Sequence, residues 1–272
     1  MSDLDVVASV RAACVAADGQ DPLDEKAALR LKHRGLEGAR LWVDGDGFAL
    51  VREGDLTLAV APRARGGGVG GRLLDLALAA DDAPDRAWSH GDHPAAARLA
   101  ARTGWRRTRD LWVMRRPTAV PLPPLELPDG VRVRGYEPGD ADDVLATNAA
   151  AFAHHPEQGA MDAAELAERM EEDWFDPAGL LVAVDDSGLL GFHWTKQHDA
   201  ATGEVYVVAV DPRAQGRGLG RVLTLAGLHH LAGLGVAEVL LYVESDNVAA
   251  VRLYSSTGFT HTASDTHVQY TR

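Results

Sequence analysis

Two glycine-rich turns carry the residues best suited to chemistry in this chain. Gln215-Gly216-Arg217-Gly218-Leu219-Gly220 follows an apolar run that reads as a strand and precedes one that reads as a helix. A strand that turns through glycines into a helix offers unpaired backbone N–H groups and the positive end of a helix dipole, which together bind phosphate. Glycine lets the backbone approach an anion closely, and Arg217 and Arg221 add positive charge. A pyrophosphate ligand is the expected occupant, and a turn that merely needs glycine backbone angles is the plainer alternative. The absence of Gly-Lys-Ser or Gly-Lys-Thr excludes a P-loop. A Rossmann site is disfavoured because several strands precede the loop and no acidic ribose partner follows at the usual spacing.

The second turn is a copy of the first. LAVAPRARGGGVGGRLL, beginning at Leu58, matches VAVDPRAQGRGLGRVLT, beginning at Val208, at a constant offset of 150 residues. Pro62, Arg63, Ala64, Gly66, Gly68 and Gly70 meet identical residues at Pro212, Arg213, Ala214, Gly216, Gly218 and Gly220. A second match at offset 154 sets Arg98, Leu99, Thr103, Gly104 and Trp105 against Arg252, Leu253, Thr257, Gly258 and Phe259. The same patterns in the same order predict two related domains, and PTAVPLPPLELPDG between them, with five prolines, reads as a linker. The expected boundaries are 1–116, a linker over 117–130, and 131–272.

The elements that must position these loops follow from periodicity. In the second half, strands are expected near 131–134, 180–184, 189–197, 204–210 and 239–243, with helices near 140–153, 162–173 and 218–233. A helix opens after Asp246, and a final strand pair contains Phe259 and Val268. The first half repeats this in shortened form, with strands near 39–43, 48–52 and 56–61 before its loop and helix.

Composition narrows the classes. The chain has 272 residues with 46% hydrophobic and 25% charged, a globular balance, and no apolar run reaches the roughly 18 residues of a membrane span. A net charge of -13 argues against nucleic-acid binding. That charge is uneven: residues 1–120 carry 17 acids and 18 bases, residues 121–272 carry 23 acids and 9 bases. One cysteine, Cys14, rules out an internal disulfide framework, and the acidic start MSDLDVVASVRAA lacks a secretory pattern, so a cytoplasmic monomer is expected. His154-His155 and His90-x-x-His93 form no HExxH or Cys/His cluster, so no metal is expected.

VAVDPRAQGRGLGRVL resembles the acetyl-CoA loop of the GCN5-related N-acetyltransferases (GNAT), and LYVESDNVAAVRLYSSTGF resembles their second signature. The resemblance implies an α/β fold of two tandem GNAT (acyl-CoA N-acyltransferase) domains, each a mixed, mostly antiparallel sheet flanked by helices. It implies acetyl-CoA as cosubstrate. The backbone of Val208, Ala209 and Val210 would hold the pantetheine arm like an added strand. Gln215, Gly216, Arg217, Gly218, Leu219, Gly220 and Arg221 would hold the pyrophosphate, with Asn247 and Arg252 also on the cofactor. In the first half Leu58, Ala59, Val60, Arg65, Gly66, Gly67, Gly68, Val69 and Gly70 are the matching positions. That half has Ala100 at the place of Tyr254, His93 at Asn247 and Gly54 at Glu204, so it is expected to fold alike and hold cofactor without catalysing.

Within this superfamily the tandem arrangement resembles the mycothiol synthases. Phe192-His193-Trp194-Thr195-Lys196, Gly203-Glu204-Val205-Tyr206-Val207-Val208, Phe152-Ala153-His154-His155-Pro156-Glu157-Gln158-Gly159 and Trp88-Ser89-His90-Gly91-Asp92-His93-Pro94 carry the likeness. Arg outnumbers Lys by 24 to 3, which fits a GC-rich actinobacterial genome. The implied reaction is direct acetyl transfer, in a ternary complex, to the cysteinyl amine of cysteinyl-glucosaminyl-inositol, a small pseudodisaccharide thiol. An amine with a pKa near 8 must lose a proton before it attacks a thioester, and Glu204 is the base that the resemblance implies. Tyr254 would protonate the departing thiolate. Glu25, Glu157, Lys196, Glu204 and Tyr242 are the implied acceptor contacts, with Glu25 supplied from the first half. Acetylation of another small-molecule or protein amine, or acetyl-CoA sensing without catalysis, are the rival functions. Trp194 and Trp174 read as core or pocket walls.

Overall fold

The computed structural model describes residues 2–153 and 158–272, and among them the chain forms two compact units. The first holds residues up to Trp112 together with Glu244–Asp246 and Thr262–Arg272; the second holds Val113–Val243 and Asn247–His261. These units do not follow the boundaries expected from the repeat. The last strand from Thr262 onward belongs to the first unit, and residues 113–130, expected to divide between the first domain and a linker, belong to the second.

The first unit opens with α1 (Asp3–Asp18), started by a capping box between Ser2 and Asp5 and stopped by Gly19 at φ 71°. Then come α2 (Glu25–Arg34), the meander β1 (Ala39–Asp44), β2 (Gly47–Arg52) and β3 (Asp55–Val60), α3 (Val69–Leu78), β4 (Arg86–Ser89) and α4 (Pro94–Thr103). β1, β2 and β3 pair antiparallel, whereas β3 and β4 pair parallel through Asp55–Arg86 and Leu56–Ala87. The chain leaves this unit within β5 (Arg106–Pro117). Apolar side chains fill both faces of the sheet, with Val7, Val10 and Phe48 on one side and Leu73, Leu74 and Trp105 on the other.

The second unit contains β6 (Arg132–Gly135), α5 (Ala141–Ala151), α6 (Ala163–Met170), β7 (Leu180–Asp185), β8 (Gly188–Gln197), β9 (Thr202–Val210), α7 (Leu219–Gly233), β10 (Glu238–Glu244) and α8 (Val248–Ser256). β6 through β9 form an antiparallel meander, and β10 joins β9 in parallel. α7 buries Leu219, Val222, Leu223, Leu225, Leu228 and Leu231, as expected of a helix packed across a sheet. The proline-rich segment is docked on this unit: the Thr118 N–H donates to Ala237 O at 2.8 Å, and Pro123 O lies 2.9 Å from His229 Nε2.

The expected final strand pair is a single strand, β11 (Thr260–Thr271). No Gly or Pro interrupts THTASDTHVQYT, so nothing forces a turn. Its C-terminal part pairs antiparallel with β4, Val268 opposite Ser89 and Thr271 opposite Arg86, and buries Val268 and Tyr270 in the first unit's core.

Candidate active site

The glycine-rich loop of the second unit grows out of β9. β9 pairs with β8 as far as Val210, but its parallel ladder with β10 covers only Thr202–Val205. Val208, Ala209 and Val210 therefore lie beyond that ladder, with strand backbone available to an extended ligand. Asp211 caps the short turn that follows by accepting from the Arg213 N–H at 2.8 Å. Gly216 and Gly218 then sit at φ 80° and 76°, a region that residues with a Cβ rarely adopt, and Gly218 starts α7 with no side-chain cap. The first N–H groups of α7 thus face outward without a side-chain partner. Arg217 is held by Asp185 at 3.0 Å and Arg221 donates to Ser256 Oγ at 3.0 Å.

The first unit repeats the device. Gly66 and Gly68 adopt φ 81° and 80°, and Gly68 starts α3 without a side-chain cap. The β3–β4 ladder stops at Leu56, and a cavity of about 460 Å³ opens there, lined by Leu58, Val60, Gly66, Gly68 and Trp88 among others. Arg65 departs from the pattern set by Gln215. Its guanidinium grips Asp18 at 2.8 and 2.5 Å and donates to Val60 O at 3.0 Å, and this bond holds the Asp18 carboxyl below the usual carboxylate range. Cys14 lies beside it, and burial pushes the thiol up, away from the nucleophilic thiolate. Asn247 and His93 share one local task. Each caps the helix it precedes, accepting from Ala250 N at 3.1 Å and from Ala95 N at 3.2 Å. Arg252 stands on the exposed face of α8.

The candidate base is buried. Glu204, 5% exposed on β9, lies opposite Lys196 in the antiparallel register with β8. Its Oε2 is 2.6 Å from His198 Nε2. A register shift between Trp194 and Thr195 leaves Tyr206 as the extra residue on β9, a bulge that turns its ring toward β8 and α6. Lys196 Nζ sits 4.6 Å from the Trp174 ring centroid and 5.4 Å from that of Tyr206. Tyr206 Oη in turn accepts from Arg169 Nε at 3.0 Å, and Trp174 packs on Trp194 and Tyr206 at 5.8 and 5.1 Å. The ammonium of Lys196 is therefore fixed over two aromatic faces rather than free at the surface.

Tyr254 lies on α8, its phenol pushed up to about 12 by burial, so it stays protonated and can donate. Tyr242 is 43% exposed on β10. Glu25 is the first residue of α2, in the first unit, whereas Lys196, Glu204, Tyr242 and Tyr254 belong to the second. Glu157 lies outside the described residues.

Sequence singled out neither His198 nor Arg169, and it named Tyr206 only within the segment Gly203–Val208. Strand alternation held the signal for two of them, since His198 follows Lys196 at i+2 and Tyr206 follows Glu204 at i+2. The segment Phe192–Lys196 divides in role. His193 is fully buried, donates from Nδ1 to Leu223 O at 2.7 Å, and is pushed down to about 4 by desolvation. It joins β8 to α7, where Gly227 leaves room that a Cβ would take, 2.0 Å from the imidazole.

A family model described as the acetyltransferase (GNAT) family matches residues 149–259. A mycothiol acetyltransferase from Nocardioides sp. is 60% identical over 99% of this chain and 97% of its own length. The chain belongs to the mycothiol acetyltransferase family. Like other members of that family it is an acetyl-CoA-dependent N-acetyltransferase. A GCN5-related N-acetyltransferase from Sphaerobacter thermophilus, 26% identical, superposes with a TM-score of 0.69 over 100% of this chain and 93% of that one. A tandem GNAT protein from the clavulanic acid biosynthesis pathway, 18% identical, gives the same score over 100% and 95%, a likeness of fold alone. The expected GNAT fold holds for this mycothiol acetyltransferase family member: a mixed sheet flanked by helices. Among the described residues no helix is long and apolar enough to cross a membrane.

Proposed function

We propose that this chain transfers acetyl from acetyl-CoA to the cysteinyl amine of cysteinyl-glucosaminyl-inositol, forming mycothiol by direct transfer in a ternary complex in the cytoplasm. The observation that carries this reading is the buried Glu204 carboxylate on the same strand as Val208–Val210, with a caged lysine directly opposite it. Four to six residues of strand place the carboxylate about 13–20 Å from the backbone proposed for the pantetheine arm, which leaves space for the thioester between them.

Glu204 takes one proton from the cysteinyl ammonium, and the freed lone pair forms the N–C bond as the thioester C–S bond breaks. Tyr254 protonates the departing sulfur, and the surplus proton on the new amide nitrogen restores the phenol. Ammonium plus thioester thereby become amide, thiol and one proton, which Glu204 yields to water. Lys196 and Tyr242 supply charge and hydrogen bonding for the hydroxyl-rich acceptor, with Glu157 as a further contact, and unmatched partners reject analogues. Asn247 and Arg252 act on the cofactor beside the 215–221 loop.

The first unit binds acetyl-CoA without transferring it. Its cavity and uncapped α3 support binding. Gly54, at φ 83° in the turn before β3, and Ala100 on α4 supply neither carboxylate nor phenol. The test is CoA release by the purified protein with acetyl-CoA and cysteinyl-glucosaminyl-inositol beside simple amines, with product mass. Acetylation of the cysteinyl amine alone supports the reading. Cofactor binding with no turnover of that acceptor withdraws it.

A further inference from the structure

His198 stands just beyond β8, in the hairpin that leads into β9. Backbone and Asx-turn bonds fix that hairpin without help from the imidazole. The His198 N–H donates to Thr202 O at 2.9 Å, and Asp199 Oδ1 accepts from Ala201 N at 2.7 Å and Thr202 N at 2.8 Å. The side chain is one-third exposed. Its specific engagement is with Glu204, Nε2 to Oε2 at 2.6 Å.

With Glu204 as a carboxylate, which has only lone pairs to offer, the contact is an Nε2–H donating to Oε2. Glu204 is 5% exposed, so little water reaches its carboxyl group. By occupying Oε2, the bond fixes the orientation of that group and leaves Oε1 to meet the acceptor. The charged groups nearby are Lys196, across the ladder from Glu204, and Asp199, which interacts electrostatically with His198.

We infer that His198 is a positioning residue for amine deprotonation, holding the Glu204 carboxylate in the orientation in which its second oxygen removes the proton. This rests on Glu204 being the base. A residue that acts only through Glu204 must lose its effect once Glu204 can no longer accept a proton.

The experiment is a double-mutant cycle of His198→Leu and Glu204→Gln in the full chain, with His198→Gln beside them. The readouts are kcat and kcat/KM for cysteinyl-glucosaminyl-inositol, acetyl-CoA affinity by calorimetry, and Tm. His198→Leu should lower kcat on the order of tenfold or more, with acetyl-CoA affinity held, and His198→Gln, which keeps an N–H donor, should recover most of it. In the Glu204→Gln background the same substitution should cost less than about twofold. An equal loss in both backgrounds, or no recovery by glutamine, overturns the inference, since damage to the hairpin would be additive. If Glu204→Gln alone turns over normally, the base reading itself falls. If Glu204→Gln is impaired and His198→Leu is not, only the role of His198 falls.

Discussion

Tyr254 and Phe259 meet edge to face, ring centroids 5.9 Å apart at 66°, so the residue that closes the second signature braces the phenol on the helix before it. Burial in that setting pushes the phenol up to about 12. Tyr254 is therefore a proton donor throughout the neutral range. Tyr254→Phe keeps the ring and the contact with Phe259 but removes the proton, and kcat should fall about a hundredfold while acetyl-CoA affinity changes little. Steady-state kinetics beside calorimetric titration checks this. An unchanged kcat would take Tyr254 out of the acid role.

The two loops can be separated by their glycines. Gly68 and Gly218 both start a helix at φ near 80°, where a residue with a Cβ is strained by about 1–2 kcal/mol. Nothing lies within 4 Å of a Cβ built on Gly218, so the cost there is conformational rather than steric. Calorimetry on the unaltered chain should show two acetyl-CoA binding events. Gly68→Val should weaken one, and Gly218→Val the other together with turnover, each on the order of tenfold or more. A single event lost to Gly218→Val would show that the first unit holds no cofactor.

The geometry of these loops was legible because it is local. A positive φ and a helix start without a side-chain cap fall within six residues, and the constant offset of 150 made the second copy visible. The meander was legible too: 180–184, 189–197 and 204–210 correspond to Leu180–Asp185, Gly188–Gln197 and Thr202–Val210. The destination of β11 was not, because periodicity marks a strand without naming its partner, and Val268 opposite Ser89 is a pairing across 179 positions of sequence. The burial of His193 was not legible for a related reason: nothing near it in the sequence marks it as core, because Gly227, 34 positions on, is what admits the ring.

Acid should unfold this protein through two buried histidines. Desolvation pushes His193 down to about 4 and His267 down to about 3, while both return to about 6.5 when unfolded. His267 is held by the Gly91 N–H, which donates to Nδ1 at 2.8 Å, and by the tilted ring of His90, centroids 4.8 Å apart. Between the folded and unfolded values the unfolded chain binds more protons, so stability is complete above pH 6.5 and falls as pH drops toward 4 and then 3. The loss from His193 is on the order of 3 kcal/mol. Urea unfolding at pH 7.5, 6.0 and 5.0 should show midpoints falling monotonically, with the slope reduced in His193→Gln. A midpoint independent of pH over that range contradicts the argument.

Arg116 should prove to be the structural pin of the second unit. It is 1% exposed, and its guanidinium donates to Thr257 O at 2.8 Å, Val120 O at 2.5 Å, Pro117 O at 3.2 Å and Pro121 O at 3.4 Å. Those partners are carbonyls, and burial pulls its pKa down, so the cation is retained for its geometry rather than for a countercharge. It ties the proline-rich segment to the C-terminal end of α8, and a Cβ on Gly258 would come within 3.3 Å of its Nε. Arg116→Met fills much of the volume but leaves buried carbonyls without donors, at a cost of about 3 kcal/mol. The Tm of the second unit should fall by roughly 5–10 °C. Arg116→Lys should recover little, because an ammonium cannot span four acceptors held by a planar fork. Differential scanning calorimetry of the three proteins decides it, and full stability in the lysine variant would mean that charge alone suffices.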